Sequence, residues 1–349
     1  MAASSGPTAY PIRGSGSSAV PDGCWAASQV PFPIDAVYTW VDGDDPAWRR
    51  AFEQARSQVD DAADPSALAR ERFVHHEELK YSLRSLQRFA PWVRQVFVIV
   101  GQQPPAWLDT TNPRLRVVHH EEFMDPAGLP TFNSHSIEAR LHHIDGLSEQ
   151  FLYMNDDVFF GRPVDPRLFF EANGLMRFFP SPVSALDQGP VRPDDSPATA
   201  ARKNARDLLR RDLGFWTTTR LRHTPHAMRR SVLAEMEQRW PGEFAATVAN
   251  RWRSRGDLPV EAFMAQWYAY ATARAVPADL GYGFVTVTDP LAPARYLSLI
   301  KRPRDVFCLN EPSPKPGNSA AYRLMTSFLG RYFPAASGFE RGCATHGGV

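Results

Sequence analysis

Four short apolar runs limit what this chain can fold into. IDAVYTWV at 34–41, QVFVIVG after Pro91-Trp92, LRVVHH at 115–120 and FLYM at 151–154 are rich in β-branched and aromatic residues. Helical patterns lie between them: one over 46–59, one over 76–89 with Leu79, Leu83 and Leu86 at i, i+4 and i+7, and one carrying Ile137, Leu141 and Ile144 on one face. Strands that are apolar on both faces and alternate with helices specify a mostly parallel sheet covered on both sides. The expected fold class is therefore α/β, with a mostly parallel sheet and a helical C-terminal elaboration. Ligands of such sheets sit beyond the carboxyl ends of the strands, where Asp42 and Asn155-Asp156-Asp157 fall.

The pattern also divides the chain. Residues 1–30 are small, polar and Pro/Gly-rich, with no apolar stretch of signal-peptide length, and read as a flexible leader. One domain is expected over 31–334: an α/β core at 31–180, a Pro/Ser/Asp-rich loop at 181–199 suited to a lid, and a helical elaboration with a closing segment at 200–334. Within the last part, Thr224-Pro225 reads as an N-cap opening a helix that runs through Trp240, and 260–276 as a buried helix. A short strand at 306–309 and a last helix at 320–332 follow, and 335–349 reads as a loose tail.

Composition excludes several function classes. Lys+Arg 39 against Asp+Glu 38 gives a net charge of +1, so no overall field favours nucleic acid or an anionic membrane. No apolar run approaches the ~18 residues that a membrane span needs. Cys24, Cys308 and Cys343 are odd in number, widely spaced and without a CxxC pair, which indicates neither a disulfide framework nor a zinc knuckle and suits a reducing cytosol. The motifs GxxxxGK[ST], GxGxxG and GxSxG are absent, against P-loop NTPases, dinucleotide oxidoreductases and α/β-hydrolases.

Three clusters could carry chemistry: Asp35 and Asp42 around the first strand, Asn155-Asp156-Asp157 after the fourth, and His223 with His226 at a helix start. Asn155, Asp156 and Asp157 offer hard oxygen ligands where phosphates would sit, the setting Mg²⁺ or Mn²⁺ favours, although turn chemistry explains the same residues. A helix N-terminus beside His223 and His226 would attract phosphate and keep an imidazole neutral, able to take a proton; capping alone is the plainer reading. The other histidines occur in pairs or on helices without zinc spacing and are expected to make structural contacts. Among basic residues near the clusters, Arg84 and Arg253 are the diphosphate candidates, with Lys301 nearby, while the run from Arg202 to Arg211 reads as a solvated helix face.

The chain resembles the Stealth proteins, which include bacterial capsular and exopolysaccharide phosphotransferases and the catalytic subunit of animal N-acetylglucosamine-1-phosphotransferase. The likeness runs through four blocks in family order: IDAVYTWVDG; EELKYSLRSLQRFAPWVRQVFVIVGQQPPAWL with LPTFNSHSIEARLHHIDGLSEQFLYMNDDVFFGRPV; HTPHAMRRSVLAEM with RSRGD; and VFCLNE. It implies a Rossmann-like, glycosyltransferase-A-like core. It also implies transfer of a sugar-1-phosphate from a nucleotide sugar, typically a UDP-sugar, to a hydroxyl of a glycan acceptor in capsule or exopolysaccharide synthesis. The product would be a phosphodiester, with release of the nucleoside monophosphate.

By the same resemblance Asp35, Thr39, Trp40 and Asp42 would contact the nucleotide, Arg84 the diphosphate, and Asp156 and Asp157 a Mg²⁺ or Mn²⁺ ion. Asn155 and Lys301 would assist substrate binding, His223 or His226 would be the base, and Arg253 would neutralise developing charge, with Asp157 counted among the catalytic groups. Two departures stand out: His75-His76 where several members carry an acidic or Asn-containing stretch, and Glu311 where the fourth block usually ends in Asp. The large inserted modules of the animal enzyme are absent, so the implied acceptor is a bacterial polysaccharide or oligosaccharide. The implied location is the cytoplasm, at the inner membrane face with glycan-assembly machinery. The competing readings are a metal-dependent glycosyltransferase using the same donor site, and a non-catalytic glycan- or nucleotide-binding module.

Overall fold

The computed structural model describes residues 30–59, 64–311 and 319–342. Apart from Val30, the expected leader lies outside them, as do Cys24 and Cys343. Four strands form the expected parallel core: β1 (Ile34–Trp40), β2 (Val96–Val100), β3 (Leu115–His119) and β4 (Gln150–Met154). Their order is β3-β2-β1-β4, with Val37 beside Phe97 on one side and Tyr153 on the other, and Val98 beside Val117. Every residue of β2 and β4 is buried, as strands covered on both faces require. This is the Rossmann-like α/β architecture read from the sequence.

Helix α1 (Pro46–Arg56) starts where Asp45 accepts the Trp48 N–H at 2.7 Å, with Pro46 at the first turn. Its Trp48 and Phe52 pack against Phe73 and Phe132. Helix α2 (Glu78–Phe89) buries the predicted stripe of Leu79, Leu83 and Leu86 against the sheet. Glu77, just before it, is left-handed at φ 67, a costly conformation for a residue with a side chain.

Several expected elements differ. The third helical pattern breaks into Ser134–Glu138 and the 3₁₀ turn Leu141–His143, although Ile137, Leu141 and Ile144 are all buried. The expected loop at 181–199 contains the strand Pro180–Ala185, paired antiparallel with Thr219–Leu221, and it ends at the helix Pro197–Leu213. The expected helix opening at Thr224 is instead the strand His226–Arg229, which adds antiparallel to β4, and the helix begins only at Arg230. Pairing against the free edge of β4 satisfies a ladder of backbone groups that a helix there would have left open. The buried helix at 260–276 is a π-helical turn, Val260–Met264, continued as Ala265–Ala271, before the chain turns into the strand Ala275–Pro277.

A second sheet joins Tyr282–Thr286, Val306–Asn310 and Val158–Phe160, setting Cys308 opposite Val158. The tail expected to be loose is docked over 335–342: Phe339 and Glu340 are buried, and Arg341 N–H donates to the Trp107 carbonyl at 2.8 Å. No helix among the described residues is long and apolar enough to cross a membrane.

Candidate active site

The carboxyl ends of the four parallel strands open into one cavity of about 1350 Å³. Thr39 and Trp40 enter it from β1, Gly101 and Gln102 from the end of β2, His120 from β3, and Asn155, Asp156 and Asp157 from β4. Gly101 leaves room there for the His120 ring, which a Cβ would approach to 3.0 Å. The Thr39 hydroxyl pairs with the Tyr153 phenol at 2.9 Å. Asp42 does not line the cavity: its Oδ1 accepts the Asp44 N–H at 2.8 Å, a turn contact, and lies 3.5 Å from Nε2 of His75, which does line it.

A third carboxylate joins Asp156 and Asp157. Glu78, the first residue of α2, accepts the His76 N–H and faces the cavity. Burial, reinforced by the charge of Asp157, pushes its carboxyl up to about 7. Burial and then the charges of Glu78 and Asp157 hold the Asp156 carboxyl well above the usual range. Asn310 Nδ2 donates to Asp157 Oδ2 at 2.8 Å, while the buried Asp157 Oδ1 has no hydrogen-bond partner. Mutually repelling carboxylates with an unsatisfied oxygen are what a divalent cation would relieve, and a Mg²⁺-class ion needs only one or two of them, completing its shell with water or phosphate oxygens. The residues therefore fit such an ion.

Basic groups line the same cavity. Arg253 reaches it from the segment after the helix Pro241–Ala249, donating to Ser134 Oγ at 2.7 Å and leaving Nε unpartnered. Arg202 also lines the cavity, which corrects the reading of 202–211 as a solvated face. One side of that helix is covered: Lys203 is fully buried between Asp187 and Asp195, each at 2.8 Å, and Arg206 is buried against Trp216, while Asp207, Arg210 and Arg211 are exposed as expected. Burial, with Arg220 and Arg253 nearby, lowers Arg202 to about 10, and burial with Arg253 lowers Arg72 to about 9. Guanidinium groups that depress one another around a cavity make a site for anions. Between them Glu261, on the π-helical turn, is held well above the usual carboxylate range by burial and by Glu138.

The two candidate histidines separate. His223 lines the cavity, with Nδ1 3.6 Å from Asp157 Oδ1 and 3.4 Å from Cys308 Sγ, and Nε2 3.5 Å from Asn155 Nδ2. His226 is buried in the edge strand, Nε2 3.6 Å from Glu261 Oε2, and burial pulls it down to about 3, so it is neutral and does not line the cavity. With a strand in place of the expected helix start, the helix-dipole argument for both residues falls.

Three other expected site residues lie elsewhere. Asp35 is fully buried and holds Arg94 at 2.6 and 2.8 Å and the Ser148 N–H at 2.7 Å, an internal brace. Arg84 makes a two-pronged pair with Glu340 at 2.7 and 2.8 Å and donates to the Phe333 carbonyl, tying down the docked tail. Lys301 ends an exposed stretch of the helix Ala292–Lys301 and does not line the cavity. Glu311 does line it and accepts from Thr288. The residues that sequence reasoning passed over are Glu78, Arg72, Arg202, Glu138, Glu261 and Asn310. Glu78, leading α2 beside another glutamate, Glu138, in the second block, and Asn310, in the fourth, carried a local signal.

Each of the four sequence blocks thus supplies part of one cavity. Family models agree: conserved regions 1, 2, 3 and 4 of the Stealth proteins match residues 32–60, 72–178, 222–271 and 298–346, together more than half of the chain. The chain belongs to the Stealth family. Among the curated relatives of this Stealth chain, an exopolysaccharide phosphotransferase of Streptomyces coelicolor is 46% identical over 315 residues, covering 89% of this chain and 53% of that protein. A second from that organism is 44% identical over 318 residues, covering 90% and 58%. Exopolysaccharide phosphotransferase CpsY of Mycobacterium tuberculosis is 40% identical over 326 residues, covering 92% and 60%. The chain spans little more than half the length of these relatives. Among solved structures, the galactosyltransferase LgtC is similar at a TM-score of 0.41 and 11% identity, over 85% of this chain and 96% of that one. In the Stealth chain, region 2 carries Glu78, Asp156 and Asp157, region 3 carries His223, Arg253 and Glu261, and region 4 carries Asn310.

Proposed function

We propose that this chain transfers a sugar-1-phosphate from a nucleotide sugar, a UDP-sugar in the first instance, to a hydroxyl of a polysaccharide or oligosaccharide acceptor. The observation that carries the reading is that three carboxylates (Glu78, Asp156, Asp157) and two guanidinium groups (Arg202, Arg253) line one cavity at the carboxyl edge of a parallel sheet. A diphosphate needs both: a cation on one side and guanidinium donors on the other. The names of the relatives point to the same chemistry.

In this reading Mg²⁺ or Mn²⁺, held by Asp156 and Asp157 with Glu78 beside them, would neutralise charge on the diphosphate. Thr39 and Trp40 contact the nucleotide, and Arg253 and Arg202 compensate charge that builds on the transferring phosphoryl group. His223 accepts the acceptor's hydroxyl proton at Nε2, with Asp157 near Nδ1 to orient the ring and stabilise the cation that forms. The acceptor oxygen bonds to the sugar-bearing phosphorus, the bond from that phosphorus to the bridging oxygen breaks, and the nucleoside monophosphate leaves. His226, buried and neutral beside Glu261, takes no proton. Lys301, Asp35, Asp42 and Arg84 have no direct part.

The test is incubation with UDP-, GDP- and CMP-sugars, Mg²⁺ or Mn²⁺ and short oligosaccharides, with mass spectrometry of both products. A nucleoside monophosphate and a glycan heavier by one sugar phosphate are expected. A nucleoside diphosphate and a glycan heavier by sugar alone would make the chain a glycosyltransferase instead.

A further inference from the structure

Beside the carboxylate cluster lies a second group of donors, in which Cys308 joins Asp157 and His223 and has no part in the phosphoryl chemistry. Cys308 Sγ is 3.4 Å from Asp157 Oδ2 and 3.4 Å from His223 Nδ1, and His223 Nδ1 is 3.6 Å from Asp157 Oδ1. Thiolate, imidazole and carboxylate bonds to zinc of about 2.0–2.3 Å at tetrahedral angles set donor atoms roughly 3.3–3.6 Å apart. The sulfur–nitrogen spacing and the nitrogen–Oδ1 spacing match that figure, and one donor atom from each of the three residues lies within 4.8 Å of the others. The buried Asp157 Oδ1 has no hydrogen-bond partner. Three donors from three separate elements therefore converge on one point with an oxygen unsatisfied.

We infer that Asp157, His223 and Cys308 form a zinc-class site, separate from the carboxylate site and sharing Asp157 with it.

The donor set decides the class of ion. Mg²⁺ prefers oxygen ligands, whereas a sulfur, a nitrogen and an oxygen suit Zn²⁺, Co²⁺ and similar borderline metals. Asn310 Nδ2, donating to Asp157 Oδ2 at 2.8 Å, fixes the carboxylate and leaves Oδ1 for the ion. The strand Val306–Asn310 sets Cys308 beneath the cavity, while the His223 side chain is 39% exposed, so an ion enters past the imidazole and keeps its fourth position open to water. On binding, the sulfur–hydrogen bond is replaced by a sulfur–metal bond and the proton leaves to solvent. An ion on Nδ1 leaves the imidazole hydrogen on Nε2, the nitrogen that the proposed transfer needs free to accept a proton, and it engages Asp157, so Zn²⁺ should block transfer that Mg²⁺ supports. Only this last consequence rests on the proposed function.

The experiment uses the full chain carrying C24S and C343S, so that Cys308 is its one thiol. Titration with Co²⁺ should produce the intense near-ultraviolet absorption of a sulfur–cobalt bond, and calorimetry should give one tight Zn²⁺ site. Cys308→Ser should abolish the absorption and weaken Zn²⁺ at least ~100-fold, a ligand counting for more than the ~10–100-fold of a ligand's partner. His223→Ala, at the exposed edge of the site, should weaken it comparably and serves if the serine variant folds poorly. No sulfur–cobalt absorption in the parent, or unchanged Zn²⁺ affinity in both variants, would overturn the site. If transfer is measurable, Zn²⁺ should inhibit the parent and spare Cys308→Ser. Spectroscopic binding without inhibition would overturn the sharing of Asp157 and His223. Absence of any transfer would count against the proposed function while leaving the binding results to decide the site.

Discussion

The two walls of the cavity are built in opposite ways. The acidic wall comes from strand ends: Asp156 and Asp157 follow β4 directly, and Glu78 heads the helix packed over the sheet. The basic wall comes from the covering layer: Arg202 lies on the helix Pro197–Leu213 and Arg253 on an irregular segment about fifty residues later. Position on the first wall follows from sheet topology alone, because the carboxyl ends of parallel strands share one edge. Position on the second depends on how distant segments pack, which no local pattern encodes. In the proposed reading, the charges that would hold a metal are set by the sheet, and the charges that would meet a diphosphate are set by the layer packed over it.

The largest effect should come from the acidic wall. Asp156→Asn should reduce transfer by at least ~10³-fold with the fold intact, since charge compensation at the transferring phosphoryl group is lost. Product quantification by mass spectrometry beside a circular dichroism spectrum checks both halves, and full activity with added Mg²⁺ would remove Asp156 from the site. His223→Ala should cost ~10²–10⁴-fold in turnover with little change in melting temperature. His226→Ala should do the reverse, costing about 1–3 kcal/mol of stability through the hole it leaves at the edge strand, with turnover changed far less. Equal effects of the two histidine substitutions on turnover would erase the distinction between them.

For the basic wall, Arg202→Ala and Arg210→Ala test whether one helix carries a functional and an idle face. Arg202→Ala should lower kcat/KM by about 10–100-fold, the scale of one charged contact to substrate. Arg210, exposed and resting on Trp216, should change it less than twofold. A comparable loss in both would mean that the effect is general electrostatics and not a contact.

Arg84 extends the same contrast to stability. Its side chain and that of Glu340 are 13% and 9% exposed, so Arg84→Ala strands a buried carboxylate and should cost about 3 kcal/mol, lowering the melting temperature by several degrees. Donor affinity in the variant, measured by calorimetry well below its melting point, should stay within about twofold. A large loss of nucleotide-sugar binding there would restore Arg84 to the diphosphate.

These contrasts also mark what the sequence made legible. The parallel core, the α2 stripe and the place of Asn155-Asp156-Asp157 followed from periodicity and from the rule about strand ends. Asp35 and Arg84 read as ligands because a charge inside a family block looks functional, whereas both are internal braces whose partners, Arg94 and Glu340, were invisible until packing joined them. Thr224-Pro225 satisfied every local rule for a helix start and lost to the open edge of β4, a tertiary demand. Arg202 was discounted for the company of Lys203 and Arg206, yet all three are buried or line the cavity because a strand pair and a loop cover that helix. Glu261 had no signal, since a π-helical turn cannot be read from spacing.

The smallest expected effect is the one that most directly probes charge on the acidic wall. Glu78 is held near 7 in the folded chain against an ordinary value of 4.5, so between those values the folded state keeps a proton that the unfolded state has lost. Its contribution to stability is whole below about 4.5 and declines as pH rises through 7. In chelator, the melting temperature should therefore fall across this window, and Glu78→Gln should flatten that fall. Mg²⁺ or Mn²⁺ should restore a few degrees at pH 8 and almost nothing at pH 5, because a cation competes with the proton for the same oxygens. A cation effect as large at pH 5 as at pH 8 would locate its binding away from Glu78, Asp156 and Asp157, and the acidic wall would lose its claim to the metal.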